Sequence, residues 1–152
     1  MKKIAIGCDH GGFKLKEMLK RYLLKNGYTV KDYGATDDKP SDYPLIGYET
    51  AKTVSSGKFK RAILICKSGI GMAIIANKLK GVRAAVCNTT KQASSAREHN
   101  DTNILSLAAA YIDSAKAKKI TKIWLNTKAL GARHKRRVNQ IKRFEKNRSG
   151  NI

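Results

Sequence analysis

The sequence predicts an α/β chain in three layers, a parallel sheet of five strands covered by helices on both faces. Three observations carry that expectation. Short apolar runs alternate with longer segments whose apolar residues recur every three to four positions. The connections between runs are long enough for right-handed crossovers. The runs are apolar on both alternating sets of positions, as strands buried on two faces must be. Together these describe a Rossmann-like sandwich in one domain of 152 residues.

Taken in order, Ile4-Ala5-Ile6-Gly7-Cys8 is a buried strand. After Asp9-His10-Gly11-Gly12, the residues Phe13, Met18, Leu19, Tyr22 and Leu23 mark a helix that stops at Asn26-Gly27, a normal C-terminal signal. Residues 28–33 read as the second strand and 34–44 as a polar loop. A helix over 44–55 presents Ile46, Thr50, Ala51 and Val54 on one side. Strand three covers 62–66, helix three 71–79, strand four 83–87, the next helix 91–98, and strand five 103–107. Two helices close the chain: 114–125, with Ala115, Ile120, Ile123 and Trp124, then about 133–147, with Val138, Ile141 and Phe144 expected in the core. Residues 148–152 read as a polar tail.

No stretch approaches the roughly 20 apolar residues of a membrane span, and the start runs straight into a strand with no cleavage signal, so a cytoplasmic protein is expected. Cys8, Cys66 and Cys87 lack disulfide or metal-type spacing, which predicts reduced thiols and no bound metal. Lys and Arg number 32 against 11 acids, a formal charge of +21. Such a surface attracts phosphates on a sugar, a lipid head group or a nucleic acid without choosing among them.

The most informative stretch joins strand three to helix three: Cys66-Lys67-Ser68-Gly69-Ile70-Gly71-Met72. A strand that feeds a helix through a glycine loop points backbone N–H groups at an anion beside the side chain that ends the strand. A dinucleotide fingerprint is excluded because Ile74 stands where its third small residue belongs, and no G-x-x-x-x-G-K-[ST] run is present. A cysteine phosphatase needs an arginine six residues after its nucleophile, where Cys66 is followed by Met72 and Cys8 by Lys14.

What remains is a thiol beside an anion hole. A thiolate in such a place can act as a base near neutral pH. The Gly69, Ile70 and Gly71 amides with the Ser68 hydroxyl can hold the oxygen of an enediolate. The arrangement fits aldose–ketose isomerisation, against the plain alternative of an inert buried thiol. The loops after strands one, three and four share one rim of the sheet, and His99-Asn100 reaches that rim if the loop before strand five folds back. Arg133 and Arg137 lie one turn apart on their helix and can clamp a phosphate together.

These residues form a recognisable set. The chain resembles the type B ribose-5-phosphate isomerases, within a wider group that includes galactose-6-phosphate and allose-6-phosphate isomerases. The resemblance runs through Gly7-Cys8-Asp9-His10-Gly11-Gly12, Asp42-Tyr43-Pro44, Leu64-Ile65-Cys66 with Gly69-Ile70-Gly71-Met72, Ala76-Asn77-Lys78, Gly81-Val82-Arg83-Ala84, Glu98-His99-Asn100-Asp101-Thr102-Asn103, and Arg133-His134 with Arg137-Val138. It implies a metal-free, cofactor-free isomerase, usually a homodimer whose active sites draw on both subunits, that interconverts ribose 5-phosphate and ribulose 5-phosphate through an enediolate. By resemblance, Cys66 is the base and His99 the ring-opening acid. Asp9, His10 and Tyr43 contact the sugar or its phosphate, Asn100 and the loop 67–71 hold oxygens of the reacting end, and Arg133 and Arg137 bind phosphate across the dimer interface.

The chain also departs from that pattern. Lys67 stands where the family usually has glycine, Ala73 replaces a usual serine, and a Gly-x-Arg segment after strand five is here Ala108-Ala109-Ala110. The alternatives to a pentose enzyme are a six-carbon sugar-phosphate isomerase, or a weakened paralogue acting as a basic, RNA-associated binding protein.

Overall fold

The structure, a computed structural model, describes residues 2–148. It contains β1 (Lys2–Cys8), a 3₁₀ turn (His10–Gly12), α1 (Phe13–Lys25), β2 (Tyr28–Asp32), α2 (Tyr43–Ser55), β3 (Ala62–Cys66), α3 (Ile70–Ala76), β4 (Ala84–Val86), α4 (Thr90–Asn100), β5 (Ile104–Ala108), α5 (Ser114–Asn126) and α6 (Ala132–Arg148). The last four residues of the expected polar tail lie outside the described residues, and Arg148, its first, belongs to α6. All five strands pair in parallel in the order β2-β1-β3-β5-β4. In register, Cys8 lies opposite Ile65 and Cys66 opposite Ala108, so these residues end their strands along one carboxyl edge.

Alternation along the central strands sorts the core into two layers. Ile4, Ile6, Cys8, Ile63, Ile65, Leu105 and Leu107 pack with Leu15, Leu19 and Leu23 of α1 and with Ala117, Ile120 and Trp124 of α5. Ala5, Ala62, Leu64, Cys66 and Ile104 face the other way, onto Ala51 and Val54 of α2 and Met72 and Ala76 of α3. Two of the helices, α4 and α5, start where short polar side chains relieve their first amides: Thr89 accepts from Gln92 N–H at 3.1 Å, and Asp113 from Lys116 N–H at 2.7 Å.

Two elements differ from expectation. Helix three begins at Ile70 and ends at Ala76, because the Asn77 side chain turns away to pair with the backbone of Ala84 at 2.8 and 3.0 Å. The last helix joins neither core layer. It packs on α4 through Val138, while Ile141 and Phe144, expected inside, are 49% and 62% exposed. A three-to-four-residue apolar spacing marks a shared helix face, and only the packing decides whether that face meets its own chain. Among the described residues no helix is long and apolar enough to cross a membrane.

Candidate active site

The carboxyl edge gathers one group of the expected site residues. Cys66 ends β3 and is 5% exposed, and its Sγ accepts the Gly69 N–H at 3.1 Å. That turn needs the positive φ of Gly69, +74°, and the Gly69 carbonyl accepts the Ser106 hydroxyl at 2.6 Å from β5. Ser68 Oγ accepts the Ile70 N–H at 3.2 Å, which leaves its own hydroxyl hydrogen to donate. The Gly69 and Ile70 amides, expected to face an oxyanion, are therefore committed inside the loop. Among the described residues, the first-turn donors without a partner are those of Gly71 and Met72.

Neighbouring loops close on this turn. A Cβ on Gly71 would stand 2.7 Å from the Tyr43 ring, so that glycine is what allows the phenol to lie against the loop. The Asp9 N–H donates to the Ile65 carbonyl at 3.3 Å, and Asp9 Oδ1 accepts from Gly12 N–H at 3.2 Å, which ties the first loop to the end of β3. His10 and Ser41 bond reciprocally: His10 N–H to Ser41 Oγ at 3.0 Å, and Ser41 N–H to His10 Nδ1 at 3.1 Å. An Nδ1 that accepts carries no proton, so Nε2 of the neutral ring is a donor.

The loop that carries Ser41 is anchored by a buried lysine. Lys16, 1% exposed, donates to the Ala35 carbonyl at 2.6 Å and to Asp32 at 2.8 Å, with Glu17 at 3.1 Å. Burial pulls the ammonium down, but its bonds to Asp32 and Glu17 outweigh that and hold it above the ordinary lysine value. Burial likewise pushes Asp32 up, and Lys16 and Lys20 outweigh it and bring the carboxyl below its usual value. Neither Lys16 nor Ser41 was legible as a site residue, because a lysine in an amphipathic helix and a serine in a polar loop carry no local signal of what they will touch.

The second group does not reach this edge within one chain. Helix α4 runs back from the carboxyl side of β4, so Asn100 arrives at the strand starts, where its carbonyl accepts from Arg83 Nε at 3.1 Å. His99 and Asn100 thus lie at the amino end of the sheet, separated from Cys66 by at least the four residue rises of β3, roughly 13 Å. The expectation that a folded-back loop returns them to the rim is corrected: Asp101 takes φ +45° to cap α4, and Asn103 N–H bonds to the Arg83 carbonyl at 3.0 Å, which sends the chain directly into β5.

Arg133 and Arg137 accompany His99 on that side. The Leu130 N–H donates to the Glu98 carbonyl at 2.9 Å, and the His99 and His134 rings stack at 4.4 Å with an 8° interplanar angle. Both histidines line a depression of about 270 Å³ between α4 and α6. Partial loss of solvent, then the positive charge of His99, Arg133 and Arg137, holds His134 below the ordinary imidazole value. His134 was legible only as part of the Arg133-His134 motif, without a role.

The other thiols are inert by environment. Burial pushes Cys8 up to about 11, against a bond from the Ala35 N–H, and pushes Cys87 up to about 11 as well.

Comparison with known proteins decides the family. Residues 4–141 match the Ribose/Galactose Isomerase family model. The chain belongs to that family. It is 40% identical over 149 residues to the ribose-5-phosphate isomerase B of Escherichia coli, covering 98% of this chain and 100% of that one. Its fold matches the Clostridium thermocellum ribose-5-phosphate isomerase B with a TM-score of 0.93 at 43% identity, covering 95% of this chain and 98% of that one. The Mycoplasma genitalium ribose-5-phosphate isomerase B, whose structure carries bound ribulose-5-phosphate, matches with a TM-score of 0.91 at 35% identity over 95% of this chain and 96% of that one. By family and by fold the chain is a sugar-phosphate isomerase of the type B class.

Proposed function

We propose that this single-domain chain interconverts ribose 5-phosphate and ribulose 5-phosphate in an active site assembled from two copies of itself. The observation that carries the reading is the Cys66 thiol at the mouth of a glycine loop, in a chain of this family. In the mechanism, His99 protonates the ring oxygen as the furanose opens, and the O1 hydroxyl releases its proton to solvent as the C1 carbonyl forms. The Cys66 thiolate then takes the C2 proton, the C2–H electron pair forms the C1–C2 double bond, and the carbonyl pair moves onto O1. The Ser68 hydroxyl and the unpaired Gly71 and Met72 amides stabilise that oxygen. The O2 hydroxyl proton then passes to O1, sulfur returns its proton to C1 as the double-bond pair moves there, and O2 becomes the carbonyl, which completes the exchange.

Two copies are required because His99, Asn100, Arg133 and Arg137 lie at the opposite end of the sheet from Cys66. Exposed apolar side chains support association: Leu45 and Tyr48 on α2, Ile70 and Ile74 on α3, and Ile141 and Phe144 on α6. The partner's arginines would grip the phosphate while this chain's Asp9, His10 and Tyr43 contact the sugar or its phosphate. Incubating purified protein with ribose 5-phosphate and assaying ribulose 5-phosphate tests the reading, and turnover no greater than that of a Cys66→Ala control rejects it.

One observation bears on the RNA-associated alternative. Phe144 is exposed with the Arg143 guanidinium 5.7 Å from its ring centre, beside a groove of about 570 Å³ lined by Lys135, Arg136 and Arg143. Steep salt-dependent retention on RNA, lost on charge reversal at Arg136 and Arg143, would favour that reading.

A further inference from the structure

The geometry points to Lys67 as a substrate-anion residue of this chain, its ammonium holding the phosphate of the sugar beside His10 on the α1 side of the rim. The inference rests on the isomerase reading and adds to it a residue and a side. Along β3, Ile63 and Ile65 face the layer of α1 and α5, whereas Leu64 and Cys66 face α2 and α3. The next residue leaves on the side of Ile65. Contact bears this out: Lys67 N and Cβ lie 3.4 Å from where a Gly11 Cβ would be, in the 3₁₀ turn that begins with His10. The Lys67 carbonyl accepts the Ala110 N–H at 2.9 Å, so its backbone is fixed against the β5–α5 loop.

Lys67 therefore diverges from the thiol instead of joining it at the reacting end of the sugar. It is also the only lysine or arginine in the loops after β1, β3 and β5, which read Asp9-His10-Gly11-Gly12, Lys67-Ser68-Gly69 and Ala109-Ala110-Tyr111-Ile112-Asp113. Among the described residues no carboxylate pairs with it. An exposed cation thus leaves the end of β3 beside Gly11, the residue that follows His10 in the 3₁₀ turn, on the side of the rim away from the base. A phosphate monoester, which carries about two negative charges near pH 7, is the substrate group such a cation would hold.

The test measures KM and kcat for ribose 5-phosphate, and competitive inhibition by inorganic phosphate, in Lys67→Ala and Lys67→Arg. Loss of a charge-assisted contact is expected to raise KM and the phosphate inhibition constant together by about tenfold or more in Lys67→Ala, with Lys67→Arg restoring most of it. The turnover number should stay within about threefold, as expected for a group that binds ground and transition states alike. Unchanged KM and inhibition constant would overturn the assignment, as would a fall in kcat with a displaced pH profile and constant KM, the signature of action on the thiol. If the wild-type protein shows no turnover, the isomerase reading fails separately. Lys67 is then judged by calorimetric titration with inorganic phosphate, where equal affinity in wild type and Lys67→Ala overturns the proposal and about tenfold weaker binding upholds it.

Discussion

The two ends of the sheet are built in different ways. At the carboxyl end, backbone does most of the positioning: the Gly69 turn, the Gly71 approach to Tyr43 and the reciprocal His10–Ser41 bonds hold a thiol in one place. At the amino end, side chains on α4 and α6 make the cluster, with stacked rings and two arginines on a helix that packs on α4 and keeps only Val138 buried. The first is a fixed pocket wall and the second a projecting set of charges. The difference teaches that each chain carries two complementary fragments, and on the proposed reading neither acts without its counterpart from a second copy.

The sharpest break is at the proposed base. Cys66→Ala should lower kcat by about a thousandfold or more, the contribution of a general base that also moves the proton back, measured with ribose 5-phosphate at saturation. A mixture then tests the division between ends. Cys66→Ala and the Arg133→Ala, Arg137→Ala double variant should each be nearly inactive, but co-refolded in equal amounts they should regain about a quarter of wild-type activity, since half the dimers are mixed and each mixed dimer has one intact site. No recovery would break the composite reading.

The anchoring of the carboxyl end is tested through stability. Lys16→Met leaves Asp32 and the Ala35 carbonyl without their buried donor and should cost roughly 3 kcal/mol in denaturant unfolding. The pair also has an acid signature. Asp32 is held below its ordinary value of 3.8, so it contributes stability above that pH that is lost as the pH falls through its folded value. Asp32→Asn should flatten that part of the pH–stability curve.

Two smaller effects refine the contrast. Iodoacetamide near pH 8 should label Cys66 at the rim before Cys8 and Cys87, whose thiols are fully enclosed and pushed up to about 11, as peptide mapping would show. At the other end, His134 should titrate below the ordinary 6.5 by proton NMR. Because its folded value is depressed, whatever stability the neutral ring contributes is present above 6.5 and lost as pH falls through the folded value. Arg137→Ala should move that titration upward.

Much of the architecture is legible in the sequence. A five-residue run such as Ala62-Ile63-Leu64-Ile65-Cys66 buries both its faces only between two helical layers, and the glycine loop after it fixes where the thiol ends. Local chemistry therefore determined the parallel α/β sandwich, the carboxyl-edge residues and the family. Tertiary structure alone decided where the remaining residues went. The β5–β4 order and the direction of α4 put His99 and Asn100 at the far end of the sheet, and packing on α4 left Ile141 and Phe144 outside their own core. Periodicity states which residues share a face. What that face meets, and how far it lies from a residue forty positions away, depends on long-range packing that no short window of sequence contains.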